Sequence, residues 1–515
     1  MIHDRLYMGI DIGTYESKGV LASADTKIVA TSVQPHEMEI PRPGFAEHDA
    51  ELTWWHDFCA ISRDLIDKSG INASRIAAVG CSTIAPCCLP VDSQLRPLRK
   101  AILYGIDVRA GEEIAFLERQ YGRDQIIKRC GSAVTSQSAA AKILWIKNNE
   151  PDVFAGTAKF ITGSTYLVAK LTGNYAIDHY TAAAWVPMYN IGGAGWDTDL
   201  SLFCKPEQLA ACRWTHEIAG VVNNDAARET GLMAGTPVVT GTADASAEAV
   251  SAGVISPGEM MIMYGSSIFI IHVTERFITD QRIWSGPYLF PGTYSLTAGM
   301  STAGTLTRWY RDQMARDIKA QAEAAGQNPY DALAEAAKDI PPGSEGLIVL
   351  PYFSGERTPI NDPLAKGMIF GLNLRHTREH IYNACLEGIG YGIAQHFEIF
   401  DELNVSTTNV TAVGGGAKHH KWMQIVSDIC GRKQYVARDG FGAALGDAML
   451  ACLGAGGYGS LREMAEHTQK KRAVIPDETA RGIYQECYRQ YTALYGATKD
   501  IMHGQRAPDA HAAQP

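Results

Sequence analysis

Short apolar runs separated by polar turns open this chain, and they predict three strands ahead of the first helix. Strands are predicted over 6–12, 19–22 and 28–33. Apolar residues at helical spacing then run from Trp54 to Ile66, and a buried strand is predicted over 76–82. This βββαβ order, followed by alternating helices and strands, predicts an α/β layered fold.

A second cycle of the same kind begins near the middle of the chain. The pattern predicts a strand over 258–264, a turn at Gly265-Ser266-Ser267 and a returning strand over 268–273. The spacing from turn to returning strand resembles that of the first half, which favours a duplicated domain over two unrelated hairpins. We therefore expect domains at 1–250 and 251–502, since Pro257-Gly258 breaks the pattern.

Two long helices are predicted in the second half of the chain. One runs from Arg378 to Phe400 with Thr377 as its N-cap, and the last runs from Asp477 to Met502. The Ala-, Pro- and His-rich segment 503–515 is predicted to be a flexible tail.

Bulk composition narrows the classes of function. A chain of 515 residues is too long to form a single hydrophobic core. The net charge of -10 argues against binding to nucleic acid or to a membrane surface as the main role. The eleven cysteines show no zinc-like spacing, which suits reduced thiols in a cytoplasmic protein. We see no signal peptide or membrane-spanning apolar stretch, so a cytoplasmic location is expected.

The turn after the first strand carries the parts of a phosphate site. Gly13 lets a phosphate approach the backbone, Thr14 supplies an N–H and a hydroxyl, and Lys18 lies four residues on. Asp11 could hold a hydrated Mg²⁺ beside them. The alternative is an ordinary tight turn.

Asp244 follows the predicted strand 237–240 among small neighbours that leave room for a substrate. An aspartate there could align and deprotonate a substrate hydroxyl for attack on a γ-phosphate. Its structural alternative is an N-cap of the helix over 245–252, and both roles can hold together.

Glycines between a strand and a helix suggest a ligand turn later in the chain. Gly414, Gly415, Gly416 and Ala417 could let a flat ring or a phosphate lie against the backbone, although a flexible loop has the same composition. The small-residue segment 442–446 fits a ligand turn or close helix packing equally, and Gly304 ends another small-residue turn.

Asp107 and Arg109 follow an apolar run and would bind sugar hydroxyls in a cleft or form a local ion pair. The proline-bracketed loop 351–359 carries no evident chemistry of its own.

Together these motifs resemble the FGGY family of carbohydrate kinases, in the actin–hexokinase–Hsp70 ATPase superfamily. The resemblance covers about residues 7 to 500: 9–14 and 264–267 resemble the two phosphate motifs, and 414–417 the adenosine motif. The segments 142–147 and 367–387 resemble the two family signatures, with Cys385 slightly off the usual pattern.

The resemblance implies two ribonuclease-H-like domains around a central cleft, with ATP mainly on the C-terminal domain and the sugar on the N-terminal one. It makes Asp244 the catalytic base, with Asp11 and Asp244 near Mg²⁺ through water. Gly265, Ser266 and Gly304 would join the nucleotide site, where Ser266 keeps the hydroxyl of a usual threonine. Phosphoryl transfer would then rest on positioning and charge neutralisation.

Within the family the loop 354–363 looks most like xylulokinases, but the sugar wall does not. Ala85 and Pro86 stand where xylulokinases carry Met-His, and Tyr104 stands in place of a tryptophan. The substrate residues implied are Ala85, Pro86, Asp107 and Asp244.

We therefore expect an ATP- and Mg²⁺-dependent kinase for a small sugar, with a ketopentose such as xylulose first. Ribulose, a tetrulose or a glycerol-like polyol are alternatives, and a non-catalytic sugar- or ATP-binding regulatory ATPase is a further one. A homodimer is compatible with the sequence.

Overall fold

The computed structural model describes residues 5–197, 199, 201–437, 441–468 and 470–505. The strands are β1 (Leu6–Ile12), β2 (Glu16–Ser23), β3 (Ile28–Pro35), β4 (Glu47–His48), β5 (Ile76–Thr83), β6 (Leu89–Val91), β7 (Ala101–Ile102), β8 (Lys159–Ile161), β9 (Ala176–Asp178), β10 (Tyr189–Asn190), β11 (Gly195–Trp196), β12 (Ala211–Arg213), β13 (Ile218–Val221), β14 (Pro237–Val239), β15 (Thr242–Ala243), β16 (Glu259–Tyr264), β17 (Ile268–Thr274), β18 (Trp284–Pro287), β19 (Tyr294–Met300), β20 (Ile348–Leu350), β21 (Met368–Phe370), β22 (Asn409–Val413), β23 (Gln434–Ala437) and β24 (Lys470–Val474).

The α-helices are α1 (His56–Ser69), α2 (Gly111–Tyr121), α3 (Arg123–Cys130), α4 (Ala139–Asn149), α5 (Pro151–Gly156), α6 (Gly163–Thr172), α7 (His179–Ala183), α8 (Asn224–Thr230), α9 (Asp244–Ser251), α10 (Gly304–Met314), α11 (Arg316–Ala324), α12 (Pro329–Ala336), α13 (Arg378–Glu402), α14 (His420–Cys430), α15 (Gly442–Gly454), α16 (Leu461–Glu466) and α17 (Arg481–Gly504). Within the described ranges, no helix combines the length and apolar character needed to cross a membrane.

The chain forms two compact units, each assembled from separate segments. The first unit contains 1–257, 273–296 and 439–469, and the second contains 258–272, 297–438 and 470–515. Each compact unit therefore combines segments that are distant in the sequence, and α15 folds with the first unit.

The sheet of the first unit has the strand order β13-β14-β5-β1-β2-β3, with β15 also paired to β5. β1 is antiparallel to β2 and parallel to β5. Glycines explain how α15 packs on this sheet: a Cβ at Gly9 would lie 1.9 Å from the Ala444 oxygen, and one at Gly80 would lie 2.2 Å from the Asp447 oxygen. The close approach places Asp447 directly above the sheet.

The second unit repeats the central arrangement of the first. Its strands follow the order β19-β17-β16-β22-β23-β24, in which β16 is antiparallel to β17 and parallel to β22. The buried helix α13 packs close to β20, since a Cβ at Gly388 would lie 2.3 Å from the Val349 oxygen. Two units with mixed sheets and layered helices confirm the predicted α/β class.

Several predicted bounds are confirmed and others move for local reasons. β1 has the predicted bounds, and Thr377 is the N-cap of α13, with its N–H donating to His380 Nδ1 at 3.2 Å. A π-helical turn (Ala50–Trp55) precedes α1, because the Asp49 side chain accepts the N–H groups of the first turn.

The last helix begins and ends later than the pattern predicts. Asp477 forms a turn in which its side chain accepts the Thr479 N–H at 2.9 Å, so α17 begins at Arg481. The predicted tail is helical through Gly504, and His503 pairs with Asp362 at 2.7 Å. Residues 506–515 of that predicted tail lie outside the described residues.

Candidate active site

A hydroxyl between two buried carboxyl groups lies at the end of β1 in the first unit. Ser82 is opposite Asp11 in the parallel β1–β5 pair, and its Oγ lies 3.0 Å from Asp11 Oδ1. The same Oγ lies 2.7 Å from Asp447 Oδ2, which α15 brings above the sheet. Asp11 is 9% exposed and Asp447 is 0% exposed.

One hydroxyl proton cannot satisfy two carboxylates fully. Both hydrogen bonds can form if the Asp447 carboxyl donates to Ser82 Oγ and the Ser82 hydroxyl donates to Asp11. Burial raises the pKa of Asp447 well above its usual value, and the charge of Asp11 raises it further. Asp447 is the more deeply buried of the two carboxyl groups, so we take Asp447 as the neutral partner and Asp11 as the acceptor.

Asp244 begins α9, one residue after β15. Its Oδ1 accepts the Ala245 N–H at 2.8 Å, and Ala243 rather than Asp244 is the N-cap. Burial raises the pKa of Asp244 to about 6, against the effect of these backbone hydrogen bonds. A carboxylate with a pKa just below neutrality is suited to accept a proton from a hydroxyl.

The acidic groups of the first unit influence one another. Burial raises the pKa of Asp11 well above its usual value, and the charge of Asp244 raises it further. Burial and the charge of Asp244 also raise the pKa of Glu248 to about 7, while Lys18 lowers it. Sequence reasoning missed Glu248, although it lies one helical turn after Asp244.

The predicted phosphate turn is closed by backbone hydrogen bonding. The Gly13 N–H donates to the Glu16 oxygen at 3.0 Å, which a Cβ at Gly13 would approach at 2.7 Å. Thr14 Oγ1 lies 3.2 Å from the Tyr104 hydroxyl. Lys18 lies opposite Asp11 in the β1–β2 pair, and its ammonium pairs with Glu16 at 2.7 Å.

The predicted sugar wall is apolar, as its sequence indicates. Pro86 is buried and Ala85 is partly exposed. The neighbouring Lys142 is buried, and its ammonium donates to the carbonyl oxygens of Leu103 and Tyr104, the latter at 3.1 Å. The signature lysine therefore holds the segment that carries Tyr104.

Asp107, predicted as a sugar contact or as half of a local ion pair, is held by local partners. Its Oδ2 accepts the Ala46 N–H at 2.7 Å and pairs with Arg109 at 2.7 Å, while Oδ1 accepts the Arg109 backbone N–H at 3.1 Å. Arg109 also pairs with Glu47 at 2.8 Å. Both Asp107 oxygens are thus engaged, and the geometry supports the local ion pair.

In the second unit, the turn at Gly265-Ser266 contacts the start of α10. The Gly304 N–H donates to the Gly265 oxygen at 3.0 Å, and the Thr305 N–H donates to the Ser266 oxygen at 3.0 Å. A Cβ at Gly304 would lie 2.5 Å from the Gly265 oxygen, so this approach requires glycine. The structure therefore brings together three residues predicted from two separate segments.

The glycines after β22 have different surroundings. Gly414 has a φ of +85° and would place a Cβ 2.8 Å from the Tyr264 oxygen, and Gly416 would place one 2.5 Å from the Trp422 ring. Gly415 faces open space, with no heavy atom within 4 Å of its ideal Cβ. Ala417 is buried, and its N–H donates to the Gly414 oxygen at 3.2 Å.

The segment 442–446 serves helix packing in the first unit. A Cβ at Gly446 would lie 1.8 Å from the Ala247 oxygen, and one at Gly442 would lie 2.8 Å from Glu248 Oε1. This close packing of α15 against α9 accounts for the small residues. Over the described ranges, no cluster of three or more His, Cys, Asp or Glu residues forms a metal site by itself.

Comparison with known proteins gives two matches to one family. The model of the FGGY family of carbohydrate kinases, N-terminal domain, matches residues 6–251, and the C-terminal domain model matches residues 260–455. Xylulose kinase of Escherichia coli (strain K12) is 29% identical over 502 residues, covering 96% of this chain and 100% of that protein.

Two further similarities extend over the same length. Gluconokinase of Bacillus subtilis (strain 168) is 27% identical over 511 residues, covering 96% of this chain and 98% of its own. The crystal structure of xylulose kinase from Rhodospirillum rubrum has a TM-score of 0.89 at 29% identity, covering 97% of this chain and 100% of that one.

Proposed function

Because this chain belongs to the FGGY family of carbohydrate kinases, we propose that it transfers the γ-phosphoryl group of ATP to a hydroxyl of a ketopentose such as xylulose. The chain is a sugar kinase, and ATP is the phosphoryl donor that this family implies. What we add is the sugar and the roles of individual residues.

The observation that carries the proposal is the placement of Asp244. Its carboxyl has a pKa raised to about 6, and Oδ1 is held by the Ala245 N–H at 2.8 Å. That hydrogen bond fixes the carboxyl, leaving Oδ2 to take the proton of a bound sugar hydroxyl. General-base assistance of this kind contributes roughly 10²–10⁴-fold to a rate.

The carboxyl cluster fits a hydrated magnesium ion that accompanies ATP. Asp11 and Asp244 raise the free energy of each other's charged form, so a cation between them and a phosphate would be stabilised. Mg²⁺ characteristically keeps several waters and uses one or two carboxylates together with substrate phosphates.

Turns in both units supply the proposed nucleotide contacts. In the first unit we assign Gly13, Thr14 and Lys18 to phosphate binding. In the second unit we assign Gly265, Ser266 and Gly304 to phosphate binding, and the segment 414–417 to adenosine. The open space at Gly415 supports the last assignment, because a ligand could lie there without displacing protein atoms.

The charges near the sugar wall favour a neutral sugar over a sugar acid. Among the described residues, Lys142 donates to two carbonyl oxygens and Arg109 pairs with Asp107 and Glu47, so neither of these two cations is free to pair with a sugar carboxylate. Ala85 and Pro86 offer no polar side chain. The wall therefore suits a ketopentose better than gluconate.

A coupled assay of ADP release tests the proposal across a panel of acceptors. Xylulose, ribulose, a tetrulose, gluconate and glycerol should be compared at equal concentration with Mg²⁺-ATP. We expect the highest kcat/KM with a ketopentose. A preference for gluconate or glycerol would contradict the assignment of the sugar, and bound ATP without turnover on any acceptor would favour a regulatory protein.

A further inference from the structure

Two histidines, His36 and His48, contact the carbonyl groups of the Gly13-Thr14 turn that we assign to phosphate binding. His36 Nε2 lies 3.1 Å from the Gly13 oxygen, and His48 Nε2 lies 3.2 Å from the Thr14 oxygen. The two rings meet edge to face, with their centroids 5.1 Å apart. The backbone N–H of His36 also donates to the Tyr15 oxygen at 3.0 Å. Three successive carbonyl groups of the turn are thus held by groups of His36 and His48.

The hydrogen-bond partners fix the proton positions of His48. The Trp54 indole N–H, which can only donate, points at His48 Nδ1 from 3.1 Å. Nδ1 therefore accepts, and Nε2 carries the proton that is donated to the Thr14 oxygen. This tautomer is neutral, in agreement with a His48 pKa that burial lowers to about 4.

His36 has an acceptor at each ring nitrogen. Nε2 faces the Gly13 carbonyl oxygen, and Nδ1 lies 2.9 Å from Asp57 Oδ2. Each nitrogen can donate to its oxygen when the ring carries both protons, and the ring is then an imidazolium beside the buried Asp57 carboxyl. Ser17 Oγ donates to the same Asp57 oxygen at 2.7 Å, which holds the carboxylate in place.

Peptide geometry turns these bonds into an orientation of donors. In a trans peptide the C=O and N–H groups point in opposite directions. Holding the Gly13 and Thr14 oxygens against the histidines therefore directs the N–H groups of Thr14 and Tyr15 to the other side. Within the part of the chain that the structure describes, neither N–H has an acceptor. Two adjacent free N–H groups on one side form an anion-binding concavity.

Resting on the proposed function, we propose that His36 and His48 are positioning residues for phosphoryl transfer. They hold the carbonyl groups of Gly13 and Thr14 so that the N–H groups of Thr14 and Tyr15 face the phosphates of ATP. The imidazolium of His36 also polarises the peptide groups that it holds, which strengthens their hydrogen bonds to an anion.

Binding measurements on four variants test this role. His36→Gln and His48→Gln each keep a side-chain donor, whereas His36→Phe and His48→Phe remove it. His56→Gln is the matched control, since His56 also contacts Asp57 at 3.3 Å but its side chain is 68% exposed. Dissociation constants for ATP, adenosine and xylulose are measured by calorimetry for each variant.

We expect both Phe variants and His36→Gln to weaken ATP binding by about ten-fold or more, the effect of losing a hydrogen bond to a charged group. His48→Gln should stay within about three-fold of the parent, because a neutral donor is conserved. Adenosine, which lacks phosphates, and xylulose should bind each variant as they bind the parent.

Two results would overturn the inference. Equal weakening of ATP and adenosine would indicate a structural role only, and unchanged ATP binding in His36→Gln would exclude the role of the imidazolium. His36→Gln decides the question if a Phe variant fails to fold. Failure of the proposed function is distinct, since the parent protein itself would then show no sugar-dependent ADP release.

Discussion

Replacing Asp447 with asparagine should make the protein more stable than the parent, by an amount that grows as the pH rises. Asp447 is 0% exposed, its nearest polar partner is Ser82 at 2.7 Å, and no cation pairs with it over the described ranges. We infer that its carboxyl is protonated in the folded chain and donates to Ser82 Oγ. Asparagine can donate an N–H to the same oxygen, so the variant keeps the bond and removes the ionisable group.

The magnitude follows from proton linkage. The unfolded chain releases the Asp447 proton near pH 4, whereas the folded chain retains it, so the free energy of unfolding falls as pH rises. The slope is about 1.4 kcal/mol per pH unit for one such group. Between pH 6 and pH 8 the parent should lose up to about 2.7 kcal/mol that Asp447→Asn does not lose.

Thermal unfolding at pH 6, 7 and 8 measures this difference. Asp225→Asn is the control, because the Asp225 side chain is 77% exposed and its variant should follow the parent at each pH. A difference in Tm between Asp447→Asn and the parent that widens with pH would agree with the reasoning. A constant difference, or an asparagine variant that becomes relatively less stable at high pH, would show that Asp447 is ionised in the folded chain.

Three further predictions concern the base, the nucleotide and the packing. Below about pH 6, kcat/KM for the sugar should fall about ten-fold per pH unit, because protonated Asp244 cannot accept the hydroxyl proton. A flat pH profile of kcat/KM down to pH 5 would exclude Asp244 as the base. Gly415→Val should weaken ATP binding at least ten-fold while Tm and sugar affinity stay unchanged. A side chain at this position would contact no protein atom but would occupy the space that we assign to adenosine. Unchanged ATP affinity in calorimetry would refute the adenosine assignment. Gly446→Ala should lower the free energy of unfolding by about 2 kcal/mol or more, because its Cβ would lie 1.8 Å from the Ala247 oxygen; a Tm equal to that of the parent would contradict the packing account.

The local parts of the fold were predictable because they depend on neighbouring residues. The apolar run of β1, the hairpin turn at Gly13 and the long helix α13 follow from periodicity and turn chemistry. The position of Asp244 at the start of a helix was predictable for the same reason, since a carboxylate after a strand and before small residues is a local pattern. The bounds moved where a side chain made its own turn, as Asp477 does before α17.

The contacts that complete the site depend on residues far apart in the chain. Asp447 lies 365 residues from Ser82, and only the packing of α15 on the sheet joins them. Gly9 and Gly80 indicated that some element packs closely on the sheet. Glycine in a strand does not predict which helix packs there. His36 and His48 belong to no motif, because their roles come from the carbonyl oxygens that they meet.

The most direct test of the account is the sugar-dependent release of ADP by Asp244→Asn. Binding of ATP and xylulose should persist, because asparagine keeps the shape and the acceptor for the Ala245 N–H. We predict that kcat falls by roughly 10²–10⁴-fold, since the proton acceptor is lost. A variant that retains more than about one tenth of the parent rate would contradict the assignment of Asp244 as the base.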